Sequence, residues 1–521
     1  MFKNQPKGLY ALALANTGER FGYYTMLAIF ALFMQAKFGW DENQAAHVYA
    51  IFLAVVYFAP LFGGMLADKI GYGKCVTIGM LTMFLGYLGL AIPTEADTVG
   101  LVTMYAGLAC VSLGTGLFKG NLQVMIGNLY DNPKYADRRD DAFSLFYMAI
   151  NIGAMFAPSM AKWITNQYLS NYGFTYDAAN FSPDYLQALY GGYGLCFGVA
   201  CVSLVLSAVI YFACKSWFKD AMKTAKQAKE ENADVEELTP TQTKERTIAL
   251  LLVFAVVIFF WMAFHQNGLS LTYFADEFTA QSAEGLQAMC FDVWNLVAVI
   301  FIVYALFSLF QSKTGKGKAI SAVIICMALA FLCLQYDADG NVTVSAPIFQ
   351  QFNPFYVVAL TPVSMAIFGS LSAKGKEPTA PRKIAYGMIV AAIAYALMAF
   401  SSFGLPMPQT EMGADGNPVA VHVADVTPNL LITVYLILTF GELLLSPMGI
   451  SFVSKVAPPK YKGMMMGGWF VATAIGNQLV VVGGLLWGAV PLWVCWSVFL
   501  GVCLVAAIFM FAMMKRLESV C

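Results

Sequence analysis

The chain runs from one apolar stretch to the next, and each stretch is long enough to cross a bilayer as a helix. A span needs roughly 20 apolar residues. Reading such runs against charged or Pro/Gly-rich breaks predicts fourteen helices. Six, at about 9–36, 46–68, 74–93, 100–128, 140–165 and 189–214, precede the one long polar gap. Eight, at about 247–275, 290–311, 318–337, 348–373, 382–403, 427–456, 462–488 and 491–515, follow it. The fold class is an all-α membrane protein, located as a multi-pass protein of the inner or plasma membrane.

Charge sets the expected topology. With the N-terminus in the cytoplasm and the side alternating at every helix, 26 of the 30 Lys and Arg fall in cytoplasmic segments. Lys37 and Lys162 lie near outer connections, and Arg20 and Lys119 lie inside helices. The outer loops carry acids instead, among them Asp276, Glu277, Asp337, Asp339, Glu411 and Asp425. Moving the helix count by one would put every later loop on the wrong side. The positive-inside rule thus calls for an even number of spans and two cytoplasmic termini. Residues 1–214 form a first six-helix bundle, 215–246 (rich in Lys, Glu and Ala) a hydrophilic cytoplasmic linker, and 247–521 a second bundle with an extra helix pair at about 290–337. That division suits two bundles rocking against each other.

Several classes of function are excluded early. With 59% hydrophobic and 12% charged residues and a net charge of −1, the chain offers nothing to nucleic acid. The eleven Cys contain no C-x-x-C pair and lie mostly in apolar stretches, as small hydrophobes outside any disulfide frame or metal site. The first apolar run is too long for a signal h-region, so it reads as a helix that stays. No nucleophile–base arrangement and no His/Asp metal spacing points to an enzyme.

Charges deep in a span are costly and therefore functional candidates. Glu19 and Arg20 lie in the first helix, Lys119 in the fourth and Glu442 in a late one (TFGELLLSP). Both bases and one acid belong to the first half, and the other acid to the second. Two structural ion pairs would be the plain explanation. A zwitterionic ligand, held by its two ends, fits the distribution better. Tyr23 and Tyr24 follow Arg20 by three and four residues, on roughly its face. Tyr57, Trp261, Trp469 and Phe470 also fall within spans, away from the interfaces where Trp and Tyr usually collect.

Six motifs in order resemble the proton-dependent oligopeptide transporter family of the major facilitator superfamily. They are GERFGYY (18–24), GGMLADKIG (63–71), GTGLFKGN (114–121), FSLFYMAINIGA (143–154), FGELLLSPMGISFVSKVAP (440–458) and KGMMMGGWFVATAIGN (462–477). The resemblance implies a major facilitator fold, two six-helix bundles plus two extra helices, importing di- and tripeptides with no cofactor beyond the proton gradient, most simply as a monomer. It implies that Arg20 and Lys119 receive the peptide carboxylate and that Glu442, Asn151 and Asn353 receive its amino end. Tyr23, Tyr24, Tyr57, Trp261, Trp469, Phe470 and Thr473 would line the pocket, and Asp68 and Lys69 would brace a gate. Aromatic walls would tolerate many side chains, since one methylene is worth only about 1–3 kcal/mol in a pocket.

The sequence departs from the family pattern at four points. Asn16 stands where the first-helix motif has its first acid. Leu27 and His265 stand where an Arg and a Glu would form an ion pair, and Gly120 replaces a Pro. Joint loss of the pair is coherent, because either charge alone would be buried without its partner. Proton coupling then rests on Glu19, Glu442 and His265. Glu19 adjoins the two bases, so its protonation would free them for the substrate carboxylate. The alternatives are a carrier of drugs, nitrate or another organic ion on the same fold, or a peptide carrier with altered or lost proton coupling.

Overall fold

A computed structural model describes residues 4–40, 42–176, 182–230, 238–412 and 418–520. The long helices are α1 (Lys7–Phe38), α2 (Glu42–Ile70), α3 (Tyr72–Ala91), α4 (Thr98–Leu129), α5 (Arg139–Asn171) and α6 (Pro183–Ala213). A short α7 (Ala225–Glu230) follows, and residues 231–237 of the expected linker lie outside the described residues. Next come α8 (Pro240–Phe264), α9 (Ser270–Glu277), α10 (Gly285–Met289), α11 (Val293–Gln311), α12 (Gly315–Gln335), α13 (Phe352–Ala373) and α14 (Ala380–Ser401). The last four are α15 (Asn429–Val456), α16 (Lys462–Gln478), α17 (Val481–Leu486) and α18 (Leu492–Glu518). Among the described residues, thirteen helical stretches are long and apolar enough to cross a membrane, and α1, 32 residues long but diluted by its polar side chains, makes the fourteenth. Helices are what lipid demands, since they satisfy every backbone N–H and C=O internally.

Most helix ends fall close to the apolar boundaries read from the sequence. The exceptions, the ends of α5 and the starts of α6 and α8, extend through polar residues such as TNQYLSN, because a helix does not stop where hydropathy does.

The chain divides into two compact units. The first comprises Phe2–Phe254, Ile450–Ala474 and Ser519–Cys521. In it α1 packs on α5 and α6, and α4 on α2 and α3. α3 and α4 meet backbone to backbone: a Cβ on Gly79 would stand 2.7 Å from the carbonyl oxygen of Gly114, and one on Gly114 the same distance from that of Gly79. In lipid, where burial of apolar surface gives little drive, small residues supply this close contact. The start of the expected linker is also packed here. Phe218 and Ala221 are buried, and Asn128 Nδ2 donates to the Ala221 carbonyl at 3.1 Å.

The second unit comprises Ala255–Gly449 and Ile475–Glu518. Here α14 pairs with α18, and α11 with α12 and α13. α12 leaves nearly all of its surface uncovered, with 6% of its most apolar window buried. Two spans expected to be continuous are broken. A 3-10 turn, His265–Gly268, separates α8 from α9, and residues 479–480 separate α16 from α17. Gln266 joins the two breaks. Its Nε2 donates to the Met262 and Val480 carbonyls at 3.1 and 3.0 Å, and its Oε1 accepts from the Ser270 hydroxyl at 2.7 Å. Irregular backbone at membrane depth survives only where such partners exist. Gln266→Ala is expected to cost about 1–3 kcal/mol by leaving a buried carbonyl and hydroxyl unsatisfied. Thermal unfolding in detergent measures this, and an unshifted midpoint would show the junction is not held by that amide.

Outside the spans, His422 pins a loop. Its Nδ1 lies 2.9 Å from the Asp276 carbonyl oxygen and its Nε2 3.0 Å from Asp425 Oδ1, two acceptors that suit the doubly protonated ring. The Asp276 carbonyl and then the Asp425 carboxylate raise its pKa. Nearby, the Glu277 carboxylate accepts from Trp487 Nε1 at 2.9 Å, and the Asp276 charge also raises the His422 pKa. A raised pKa gives stability that is complete below the ordinary His value of about 6.5 and is lost as pH climbs through the raised one. The Val423 and Val426 amides, which donate to the Glu277 and Phe278 carbonyls at 2.8 Å, should therefore lose protection from hydrogen exchange at alkaline pH beyond the intrinsic rate. His422→Asn should remove that dependence.

Candidate functional site

In the first unit the site begins on α1. Asn16, Glu19, Arg20 and Tyr23 recur at three- to four-residue spacing and are all buried, Glu19 to 1% and Arg20 to 2% exposure. The Arg20 guanidinium meets both carboxylate oxygens of its neighbour Glu19 and lies 4.6 Å from the centre of the Tyr23 ring. Tyr24 stands edge-on to Tyr23 at 5.4 Å. The Thr17 hydroxyl donates to the Ala149 carbonyl at 2.9 Å, fixing this stretch against α5, where Asn151 Nδ2 donates to the Tyr147 carbonyl at 3.0 Å.

Lys119 differs from Arg20. Its ammonium lies 4.8 Å from the Tyr57 ring and 4.5 Å from the Phe470 ring, within electrostatic reach of Arg20 and Glu19. Among the described residues it forms no ion pair. Two aromatic faces partly replace its hydration, each contributing about 1–2 kcal/mol when desolvated. A ring, unlike a carboxylate, leaves the charge available to an incoming anion. On α16, Trp469 stands edge-on to Phe254 at 6.4 Å, and the Thr473 hydroxyl donates to the Trp469 carbonyl at 3.1 Å.

The second unit holds an acidic counterpart. Glu442, 3% exposed, accepts from Asn353 Nδ2 at 2.6 Å through Oε2, and the same amide reaches Thr439 Oγ1 at 3.2 Å. Trp261 stacks on His265 with ring centres 4.8 Å apart and planes 17° from parallel. The buried His265 Nδ1 and Asn477 Oδ1 belong to side chains that interact with each other, and Trp261 Nε1 is buried without a hydrogen-bond partner among the described residues. Buried polar atoms in that state are uncommon, and they offer contacts to a ligand or to water.

Asp68 sits on the start of α16 within the first unit. Its Oδ1 accepts from the Gly463 N–H at 2.8 Å and from Tyr72 Oη at 2.8 Å, and its Oδ2 accepts from the Met464 N–H at 2.9 Å. A carboxylate there satisfies two otherwise unpaired N–H groups and complements the helix dipole. Lys69 is exposed.

Sequence reasoning missed a second polar cluster beside this one. Asp131 takes Arg139 Nη2 at 2.7 Å and Lys462 Nζ at 2.5 Å, and Lys462 also donates to Asn128 Oδ1 at 3.0 Å. Arg139 Nη1 donates to Ser454 Oγ at 2.8 Å, and Ser451 Oγ donates to Asp140 Oδ1 at 2.6 Å. Burial disfavours the Asp131 charge, but Lys462 and Arg139 outweigh it and hold the carboxyl below its ordinary pKa. Charges in connections are usually solvated, so the sequence carried no sign of this cluster. Thr439 and Asn477 went unnoticed as well, because polar but uncharged residues are common in spans.

The structure thus gathers Glu19, Arg20, Tyr23, Tyr24, Tyr57, Lys119 and Phe470 in one unit, and Glu442 with Asn353, and Trp261 with His265, in the other.

Known proteins share this architecture. Among solved structures, a POT family transporter in complex with a thioalcohol-conjugated peptide superposes with a TM-score of 0.63 at 17% identity, over 99% of this chain and 98% of that one. The peptide transporter POT in complex with sulfate superposes with a TM-score of 0.59 at 23% identity, over 100% and 96%. Dipeptide and tripeptide permease A of Citrobacter koseri is 26% identical over 503 residues, 94% of this chain and 85% of that protein. Dipeptide and tripeptide permease B of Xenorhabdus bovienii is 24% identical over 497 residues, 91% and 86%. The profile of the POT family matches residues 73–236 and 333–483, more than half of the sequence. This multi-pass membrane chain, of the major facilitator fold, therefore belongs to the POT family.

Proposed function

We propose that the protein imports di- and tripeptides by alternating access, driven by protons, with both termini in the cytoplasm. The observation that carries this reading is Lys119, a half-buried ammonium inside a span, flanked by two aromatic rings and in no ion pair among the described residues. A charge held this way inside a span needs a reason, and an anionic end of the substrate supplies one. The names of its relatives, dipeptide and tripeptide permeases, support the same substrate.

In this reading the peptide carboxylate goes to Lys119 and to Arg20, and the peptide amino group goes to Glu442 with Asn353 and Asn151 as hydrogen-bonding partners. Tyr23, Tyr24, Tyr57, Trp261, Trp469, Phe470 and Thr473 accept the side chains. Glu19 carries the proton. When ionised it occupies Arg20 through both oxygens, and when protonated it releases the guanidinium to the substrate, so proton and peptide favour each other's binding. Asp68 serves the gate by holding the start of α16. His265, in the position of the missing acid and beside Asn477, contributes to the pH response.

The test is competition for uptake of labelled dialanine into proteoliposomes carrying a proton gradient. Di- and tripeptides should compete, and free amino acids and nitrate should not. Competition by nitrate, or uptake indifferent to the gradient, would refute the substrate or the coupling respectively. His265→Gln with an unchanged pH profile would remove His265 from the scheme.

A further inference from the structure

The end of the first unit at which α1 begins contains a cavity of about 880 Å³ that peptide transport does not use. Seven Lys and Arg line it against two Asp. Asp131 already neutralises Arg139 and Lys462, and Asp220 pairs with Lys223 at 3.0 Å. Lys7, Lys219 and Lys455 also line the cavity and form no ion pair among the described residues. Both acids are thus spent while positive charge remains, so the cavity calls for an anion.

Its mouth shows where that anion comes from. Trp217, 49% exposed, lines the cavity with the Lys7 ammonium 5.8 Å from its ring, and an aromatic just past the end of a span suits headgroup level. One face of α6 leads straight to it. Val202, Val205, Leu206, Val209 and Phe212 recur at three- and four-residue spacing and are between 46% and 60% exposed. They form a bare apolar stripe, and the turn after it carries Ser216 and Trp217 into the cavity lining. A soluble phosphate would use the bases and ignore the stripe. A phospholipid uses both, with acyl chains along α6 and its phosphate among the lysines.

We propose that this cavity binds the phosphate headgroup of an anionic phospholipid. Basic pockets at the ends of spanning helices on the cytoplasmic face are suited to such lipids, and each Lys near an anionic surface contributes about fivefold in affinity.

The experiment compares nanodiscs of phosphatidylcholine doped with equal fractions of brominated phosphatidylglycerol or brominated phosphatidylcholine. The readout is the Trp217 component of fluorescence quenching, taken as the full-length protein minus its Trp217→Phe variant. Quenching by the brominated anionic lipid should exceed that by the neutral one at least twofold, and a Lys7→Gln, Lys219→Gln, Lys455→Gln triple variant should bring the two to the same level. The neutral-lipid arm controls for folding, since a folded triple variant keeps its neutral-lipid quenching. Equal quenching by both lipids in the native chain overturns the proposal, as does a preference that survives in the folded triple variant. If millimolar glycerol phosphate abolishes the preference, the site belongs to a soluble phosphate and the lipid assignment fails. If the triple variant does not fold, Lys219→Gln alone, at an exposed position, must lower the preference by a measurable fraction or the proposal falls.

Discussion

Lys119→Gln is expected to cut dipeptide uptake about 30-fold or more while leaving the protein as stable as before, or more stable. The two halves of that expectation have different causes. Removing one partner of a buried, hydrogen-bonded charge pair costs a complex about 2–5 kcal/mol, and tenfold corresponds to about 1.4 kcal/mol. If the substrate carboxylate is that partner, transport bears the loss. The empty protein responds the other way. The ammonium is half-buried against the Tyr57 and Phe470 rings and makes no ion pair among the described residues, so Gln removes a partly desolvated charge and breaks no pair. A structural lysine would behave oppositely, since its loss would lower the melting temperature and leave a folded remainder that still transports. Uptake and thermal midpoint measured on the same preparation separate the two. Arg20 gives no such clean separation, because Arg20→Gln strands the buried Glu19 carboxylate it now pairs with.

Gly64→Ala should lower the thermal midpoint by several degrees and reduce uptake about tenfold or more. A Cβ at Gly64 would stand 2.0 Å from the Gly463 carbonyl oxygen and 2.3 Å from its carbon. Both are backbone atoms, so no rotamer change relieves the overlap, and α2 must separate from the start of α16. Overpacking of this kind costs about 1–3 kcal/mol. The same displacement pulls Asp68 from the Gly463 and Met464 amides, which it accepts at 2.8 and 2.9 Å. Gly198→Ala on α6 is the control, since its Cβ would meet nothing within 4 Å. A silent Gly64→Ala would show that this contact does not hold α2 against the start of α16.

The helices were legible in the sequence because lipid leaves little choice. An apolar run of span length becomes a helix whatever it packs against, and its ends fall within a few residues of the charges that flank it. The buried ionisable groups stood out for the same reason, being costly enough to be rare. What escaped notice depends on tertiary contact. Nothing in WMAFHQNGLS announces that Gln266 will reach the Val480 carbonyl more than two hundred residues away, or that two helices will break where it does. Asp131 looked like one more loop charge because its partners, Arg139 and Lys462, are brought to it only by folding. The segment after α6 read as a tether on composition, yet Phe218 and Ala221 within it are buried.

The bare surface of α12 has a practical use. Of the described cysteines only Cys326 and Cys333 are exposed, and both lie on that helix, seven residues and so about two turns apart. A thiol reagent that partitions into the bilayer should react at these two positions before any other described cysteine. The native chain therefore carries its own attachment points for a spin label or fluorophore, on a helix that holds none of the proposed substrate residues and needs no engineered cysteine.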